Sequence, residues 1–273
     1  MSLLQKRLAI FMLTLVLLIT GFVTGSYIQK GDAQPIKKMS RLDLIVDQGV
    51  IRVGTTGDYK PFTYLNPQTK EYEGYDIDAA KMLAKDLGVK VKFVKTTWPT
   101  LMSDLKANKF DIAMGGITRT LEREKTAHLT LPYIKDGKSP LIRKADQDRF
   151  KSLADIDQQG VKIGVNPGGT NEKFVRENLK KAEIVLVQNN LEIPNMVAEG
   201  KVDVMITDST EARYYAKQND KLLAILTENP FNLHQKGYLI NRSDVDYQNW
   251  INLWMEEMQL HGQFKALEKK WIN

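Results

Sequence analysis

The sequence predicts an α/β protein with two similar lobes, each a mainly parallel sheet with flanking helices. Two observations support this prediction. Strand-like and helix-like segments alternate after residue 50, and the order of these segments occurs twice. Because parallel strands need helical crossovers, two βαβαβ units predict two parallel sheets.

The first unit begins at residue 51. Its predicted segments are a strand at 51–53, a helix at 76–87, a strand at 91–94, a helix at 101–107 and a strand at 112–114. Apolar residues recur at helical spacing in the first helix, and Gly88 follows it as a C-terminal cap. A loop is expected between residue 53 and this helix.

The second unit repeats this order from residue 162. Its predicted segments are a strand at 162–165, a helix at 172–181, a strand at 184–187, a helix at 193–199 and a strand at 202–206. Two amphipathic helices, at 245–261 and 264–271, follow near the end of the sequence. We expect them to pack back on one lobe.

Residues 1–33 have the build of a secretory signal. Lys6 and Arg7 precede an uncharged run from residue 8 to residue 29, and Ala33 or Gly25 marks a cleavage position. The run is also long enough to span a bilayer, so an uncleaved anchor stays open. The expected location is periplasmic or otherwise extracytoplasmic.

The composition argues against several classes of function. The net charge is +6, but the basic residues are scattered among 33 acids, which does not favour nucleic-acid binding. The absence of cysteine excludes disulfides, thiol catalysis, cysteine metal sites and a lipidated cysteine. His128, His234 and His261 lack ligand spacing, so we expect no metal. The turn at 166–170 lacks the spacing of a nucleotide-binding loop, and no cofactor is expected.

Polar residues follow the predicted strands. In open α/β sheets ligands bind beyond the carboxyl ends of the strands. The segments there are 55–59, 96–98, 115–118 leading to Arg123, 166–170, 188–190 and 207–211. We therefore expect a polar, partly aromatic cleft between the lobes.

Three of these segments suggest ligand contacts. Arg123 beside a helix start suits a carboxylate, unless it pairs with Glu122 or Glu124 on the surface. Residues 166–170 bring glycine amides and the Thr170 hydroxyl near an anion, or form a plain turn. Trp98 suits a cleft wall better than a core position.

Asp208 and Glu211 have the spacing of a helix capping box, and the spacing alone favours that interpretation. The alternative is a general acid, because a glutamate in a closed, dry cleft has a raised pKa.

The sequence resembles the type II amino-acid-binding proteins of ABC importers over residues 41–273. The matching pattern comprises 54–62, 74–78, the run from Thr118 to Arg123, 168–170 and Asp208. This resemblance implies a type II periplasmic-binding-protein fold with a two-strand hinge. Lobe 1 would comprise 40–134 and 236–273, and lobe 2 would comprise 135–235.

The same resemblance implies roles for six cleft residues. Tyr59 and Trp98 would flank the ligand, and Asp208 would take an α-ammonium group. The α-carboxylate would be held by Arg123 and Thr118, with Thr170 assisting.

Within that superfamily the sequence is more similar to the periplasmic cyclohexadienyl dehydratases, which convert prephenate to phenylpyruvate and arogenate to phenylalanine. The matching loops are 55–61, 96–102, 110–117, 136–138, 166–172 and 207–213. This resemblance implies that Glu211 is the general acid, with Asn166, Lys138 and Trp98 shaping the site. Thr56 stands where amino-acid binders usually have an aspartate, which weakens an ammonium site and suits a ligand with two carboxylates.

The predicted function is therefore a lyase, a prephenate or arogenate dehydratase acting by general acid catalysis. The alternative is the amino-acid-binding protein of an ABC importer, whose partners would be the importer's membrane subunits. The ligand-sensing domain of a receptor is a third class with the same architecture. Under the first two readings the ligand is a small carboxylate.

Overall fold

A computed structural model describes residues 39–273 of the protein, and the segment at 1–33 lies outside the described residues. Among the helices that it describes, none combines the length and apolar character needed to cross a bilayer. Residues 39–273 also contain no cluster of histidines and acids suited to a metal ion.

Short strands and helices make up most of the chain from residue 41 to residue 271. The strands are β1 (Val50–Thr55), β2 (Asp58–Tyr59), β3 (Thr63–Leu65), β4 (Tyr72–Glu73), β5 (Lys90–Lys95), β6 (Ile112–Ala113), β7 (His128–Leu129), β8 (Ile134–Asp136), β9 (Lys138–Arg143), β10 (Lys162–Val165), β11 (Glu183–Leu186), β12 (Val204–Asp208), β13 (Leu222–Ala224), β14 (His234–Lys236) and β15 (Leu239–Ile240). The helices are α1 (Arg41–Gln48), α2 (Tyr75–Asp86), α3 (Leu101–Lys106), α4 (Leu121–Glu124), α5 (Leu153–Ile156), α6 (Thr170–Asn178), α7 (Ile193–Ala198), α8 (Ser209–Gln218), α9 (Val245–Leu260) and α10 (Gln263–Trp271).

Two five-stranded sheets form the framework. The first has the order β5-β1-β6-β15-β7, and the second has the order β11-β10-β12-β9-β13. In each sheet the first three strands are parallel, the fourth is antiparallel to them, and the fifth is antiparallel to the fourth. The parallel strands belong to the two predicted βαβαβ units, so the predicted two-lobed α/β fold is confirmed. We call the part built on the first sheet lobe 1 and the part built on the second sheet lobe 2.

The chain passes between the lobes through a separate two-stranded sheet. Strand β8 leads from lobe 1 to lobe 2, β14 leads back, and the two pair antiparallel with His234 opposite Asp136. The expected boundaries, 134/135 and 235/236, fall inside this pair of strands and remain a prediction. The pair forms the predicted two-strand hinge.

The C-terminal helices pack on lobe 1. Trp254 and Met258 of α9 and Phe264 of α10 share one apolar core with Ile51 and Val53 of β1. This packing confirms the expectation that the amphipathic C-terminal segments return to one lobe.

Two elements begin two residues away from their predicted starts. Strand β12 starts at Val204 and not at residue 202, and α6 starts at Thr170 and not at residue 172. Gly169 takes the N-cap position of α6. Thr170 and Asn171 therefore lie in the first helical turn, where their side chains are directed by the helix.

The expected loop after β1 contains a small sheet of its own. Strands β2, β3 and β4 pair antiparallel in that order. This sheet fixes Asp58 and Tyr59 at the face of lobe 1 that meets lobe 2.

Candidate active site

The strand-end segments of both lobes meet around one small cavity. Its volume is about 20 Å³, room for about one water molecule. The residues that line it are Tyr59, Trp98, Gly116, Thr118, Asn166, Gly169, Thr170, Asn171 and Asp208. The lining thus contains six of the nine residues that the sequence singled out. Arg123, Lys138 and Glu211 are absent from this lining.

Tyr59 and Trp98 form an aromatic wall on the lobe 1 side. Their ring centroids lie 5.5 Å apart with the planes at 85°, an edge-to-face arrangement. The Trp98 Nε1 donates to Asp58 Oδ1 at 3.1 Å, which fixes the indole on the small β2–β3–β4 sheet. The structure therefore places both rings at their predicted position in the cleft.

Gly116 lies in the floor of the cavity because a buried carboxylate holds its backbone. Its N–H donates to Asp76 Oδ2 at 2.5 Å, and the hydroxyls of Tyr133 and Tyr238 donate to the same side chain. Burial raises the pKa of Asp76 to about 6, although these three hydrogen bonds oppose the shift. Asp76 thus positions the floor without touching the cavity.

Asp208 ends β12 and receives contacts from both lobes. Lys138 Nζ lies 2.5 Å from its Oδ1, and Lys236 and the Tyr59 hydroxyl both donate to its Oδ2. His234 Nε2 lies 3.2 Å from Oδ1. Both carboxylate oxygens are therefore occupied.

The capping-box interpretation of Asp208 and Glu211 is wrong. Asp208 is the N-cap residue of α8, but its side chain makes no hydrogen bond to the helix backbone. Charge-assisted contacts to two lysines are stronger than a contact to a backbone amide, so the carboxylate turns into the cleft.

The two lysines that hold Asp208 come from the two crossovers between the lobes. Lys138 follows β8, and its Nζ donates to Thr170, Asn171 and Asp208. Lys236 ends β14, and its Nζ donates to Tyr59, Thr118 and Asp208. The two residues are 1% and 0% exposed. All five of these partner residues line the cavity, so each lysine lies directly behind its wall.

These charges determine how Asp208 ionises. Burial alone would raise the pKa of Asp208, but Lys138, Lys236 and His234 together hold it well below its usual value. Burial lowers the pKa of Lys138, against the opposing effect of Asp208. The pKa of His234 is lowered by burial in the same way. Asp208 is a permanent carboxylate at neutral pH.

Glu211 lies in the first turn of α8 and is completely buried. Asn190 Nδ2 donates to its Oε1 at 2.7 Å, and the Thr207 hydroxyl donates to its Oε2. Burial raises its pKa well above the usual value, and the charge on Asp208 adds to the rise. The hydrogen bonds from Thr207 and Asn190 oppose it. Burial in this position therefore favours the protonated, neutral form of the Glu211 side chain.

Two hydrogen-bond connections join Glu211 to the rest of the site. Asn171 Nδ2 donates to Thr207 Oγ1 at 3.3 Å, and the same Asn171 accepts from Lys138. Asn190 Nδ2 also donates to the carbonyl oxygen of Asp58 in lobe 1 at 3.0 Å. The position of Glu211 therefore depends on Lys138 and on the contact between the lobes.

Arg123 stands behind the cavity on the lobe 1 side. Its Nη1 donates to the carbonyl oxygen of Thr118 at 2.7 Å, and it pairs with neither Glu122 nor Glu124. Burial lowers the pKa of Arg123 to about 10, so the guanidinium stays charged at neutral pH. Thr118 and Thr170, from opposite lobes, bring their hydroxyl oxygens to 3.5 Å from each other. Asn166 borders the cavity from the end of β10.

Four residues of the site were not predicted. Asn171, Asn190 and Thr207 lie in or next to the polar strand-end segments, so their positions were visible but their contacts with Glu211 and Lys138 were not. Lys236 has no local signal, because it lies in a short hinge strand 28 positions beyond Asp208.

The comparisons with known proteins agree with this geometry. The family model of the bacterial extracellular solute-binding proteins, family 3, matches residues 51–273. A cyclohexadienyl dehydratase of Pseudomonas aeruginosa is 43% identical over 85% of this chain and 86% of its own length. An L-cystine-binding protein of Escherichia coli is 25% identical over 97% of this chain and 95% of its own length.

Two solved structures are also similar. An ancestral cyclohexadienyl dehydratase is 56% identical with a TM-score of 0.55, over 86% of this chain and 97% of that one. The ancestral amino acid-binding protein AncCDT-1, a precursor of cyclohexadienyl dehydratase, is 40% identical with a TM-score of 0.80, over 86% of this chain and 100% of that one.

Proposed function

Because this chain belongs to family 3 of the bacterial extracellular solute-binding proteins, we propose that its cleft performs the reaction of the cyclohexadienyl dehydratase it resembles. The observation that carries the proposal is Glu211, a glutamate without solvent exposure beside the cavity. A solute carrier has no need of a buried, protonated carboxylic acid. An enzyme that protonates a leaving hydroxyl group requires one.

The reaction converts prephenate to phenylpyruvate, water and carbon dioxide. The ring carboxylate leaves as carbon dioxide, and the electrons of the broken C–C bond complete the aromatic ring. The C–O bond to the ring hydroxyl breaks, and Glu211 supplies the proton that turns this hydroxyl into water. Glu211 is left as a carboxylate and regains its proton from solvent after product release. The same acid would convert arogenate to phenylalanine.

The other predicted residues bind and orient the substrate. Arg123, Thr118 and Thr170 anchor the side-chain carboxylate, and Tyr59 and Trp98 flank the ring. Asn166 orients the substrate from the lobe 2 side. Lys138 orients Glu211 through Asn171 and Thr207, because the hydrogen-bond chain between them is continuous.

The substrate must enter through a movement of the lobes. Ligand sites of this kind occupy about 300–1,000 Å³, whereas the cavity between the lobes measures about 20 Å³. The cavity also ends at Asp208 and Asn171, and Glu211 lies behind these residues, outside the cavity. An entering substrate therefore has to enlarge the cavity toward Glu211 before the proton can be transferred.

The alternative function is amino-acid binding for an ABC importer. The similarity to AncCDT-1 favours it, and the importer's membrane subunits would then be the partners. Under this alternative an amino acid binds tightly without chemical change. The contacts of Asp208 count against it, because the carboxylate that should take the ammonium group already faces two lysines.

We also propose that residues 1–33 direct export of the chain, in agreement with the extracellular character of its family. Cleavage after Ala33 would release the two lobes, whereas an uncleaved segment would anchor them. N-terminal sequencing of the protein recovered from outside the cytoplasm separates these two outcomes.

The experiment that tests the function is a prephenate turnover assay. We expect the purified protein to form phenylpyruvate, and Glu211→Gln to lose about 10²–10⁴ of the rate, the usual contribution of a positioned acid. Glu257→Gln, a change at an exposed glutamate of α9, is the matched control and should retain full activity. Prephenate decay at its spontaneous rate, with tight binding of one amino acid, would favour the carrier instead.

A further inference from the structure

We propose that the cleft selects ligands with two carboxylates and no ammonium group, and that Lys236 determines this specificity. The inference rests on the proposed function and names the substrate class of the same site. Prephenate has two carboxylates and an uncharged ketone, whereas arogenate carries an ammonium group in place of the ketone. The cleft should therefore prefer prephenate.

The first step concerns the carboxylate that would recognise an ammonium group. Asp208 is the one acidic residue among those that line the cavity in the described part of the chain. Its Oδ1 faces Lys138 at 2.5 Å, and its Oδ2 accepts from Lys236 and from the Tyr59 hydroxyl. A ligand ammonium would have to displace one of these cations.

The second step concerns the cost of that displacement. Lys236 is completely buried, and its three ammonium donors have three partners, Tyr59, Thr118 and Asp208. A lysine expelled from Asp208 would remain buried without its counterion, which is strongly unfavourable. Lys236 also belongs to the paired strand β14, so its backbone cannot withdraw without disturbing the hinge.

The third step concerns the other carboxylates nearby. Asp136 Oδ1 accepts the backbone N–H groups of Gly137 at 2.9 Å and Thr210 at 3.3 Å. Asp58 Oδ1 accepts from Trp98. Neither acid lines the cavity, so neither takes over the role of Asp208. A ketone oxygen needs no carboxylate, because it accepts hydrogen bonds from cations and hydroxyls.

The test compares two substrates in two lysine variants. We expect the wild-type protein to have a kcat/KM for prephenate about tenfold or more above that for arogenate. Lys236→Met keeps the length of the side chain but removes the cation from one oxygen of Asp208, which then accepts from the Tyr59 hydroxyl alone. This variant should lower the ratio of kcat/KM for prephenate to kcat/KM for arogenate by about tenfold or more. The reason is that the Lys236 ammonium group is the proposed source of the discrimination against arogenate. Lys135→Met, at an exposed lysine of the neighbouring strand β8, should leave the ratio unchanged.

A second measurement does not need turnover. Binding of phenylpyruvate and of phenylalanine to the wild-type protein, measured by calorimetry, should favour phenylpyruvate. A wild-type preference for phenylalanine would overturn the inference even if Lys236→Met failed to fold. An equal preference in wild type and Lys236→Met would also overturn it. Absence of turnover with both substrates would instead refute the proposed function and leave the binding comparison valid.

Discussion

At the scale of single residues, the two oxygens of Glu211 both accept hydrogen bonds. Asn190 donates to one and Thr207 to the other, and these contacts stabilise the ionised carboxylate. Burial has the opposite effect and favours the neutral acid. In the proposed mechanism these surroundings keep the proton available and stabilise the carboxylate that remains after its transfer. Groups that stabilise a charge as it develops lower the barrier.

Thr207→Val tests this balance, because valine has nearly the shape of threonine but no hydroxyl. We expect kcat/KM to fall by about tenfold or more, since a hydrogen bond to a charged group contributes about 1.5–3 kcal/mol. In the proposed mechanism Glu211 must be protonated to act, so we expect activity to decline as pH rises through its pKa. Loss of the hydroxyl raises the pKa of Glu211, and the decline should move to higher pH. Thr207→Ser is the control and should keep the wild-type profile. An unmoved decline in Thr207→Val would contradict this role.

The contacts of Asp208 show where residue-level prediction from sequence ended. Its spacing from Glu211 fits a capping box, and local sequence holds no sign of two lysines located 70 and 28 residues away. Spacing reports which contacts are possible within one helical turn. The two lysines that compete for the Asp208 carboxylate are brought near it by the packing of the chain. Their charges determine the direction of its side chain.

At the scale of elements, the pattern of strands and helices was predictable because each unit repeats the same apolar periodicity. The small sheet of β2, β3 and β4 was not predictable, since strands of two or three residues carry too little pattern. The segments predicted to follow the strands contain most of the residues that line the cavity. The positions of Arg123, Lys138 and Glu211 behind that wall depend on side-chain direction, which strand order does not specify.

The turn after β10 approaches the turn after β5 across the cleft. Gly168 has φ +79°, and a Cβ there would lie 2.6 Å from Pro99 Cγ in the other lobe. Gly168→Ala should therefore keep the lobes apart and lower kcat/KM by about tenfold or more, because a small misplacement of catalytic groups has effects of that size.

Gly160→Ala is the matched control for this change. Gly160 has a similar φ of +84°, but an added Cβ would meet nothing within 4 Å. Both variants should lose similar stability from the strained backbone, measured by thermal unfolding. Equal activity in the two variants would show that the Gly168 contact has no role in closure.

At the scale of the whole molecule, entry of the substrate requires the lobes to separate. The comparison structures point the same way. The ancestral enzyme is more similar in sequence than the ancestral binding protein but superposes less well. A different placement of the lobes in the ancestral enzyme would produce this combination of high identity and lower TM-score, and we expect the lobes of this family to move relative to each other.

Small-angle X-ray scattering tests this movement. We expect the free protein to have a larger radius of gyration than the closed arrangement of the lobes, since binding proteins populate open states that ligands shift. Saturating phenylpyruvate should reduce it toward the closed value. A radius equal to the closed value that does not change with ligand would show that the substrate enters by another route.

The hydrogen bond from Asn190 to the carbonyl oxygen of Asp58 has a consequence for the order of events in a catalytic cycle. The side-chain amide of Asn190 holds Glu211, and the opposite lobe in turn holds this amide. The proposed proton donor is therefore in position only after the lobes have closed. A molecule too small to bring the lobes together would meet a Glu211 side chain that is not held in position, and it would leave the cleft without reacting. Proton transfer would then begin only after the lobes have closed around the substrate. Glu211 would take up a new proton when the lobes open again.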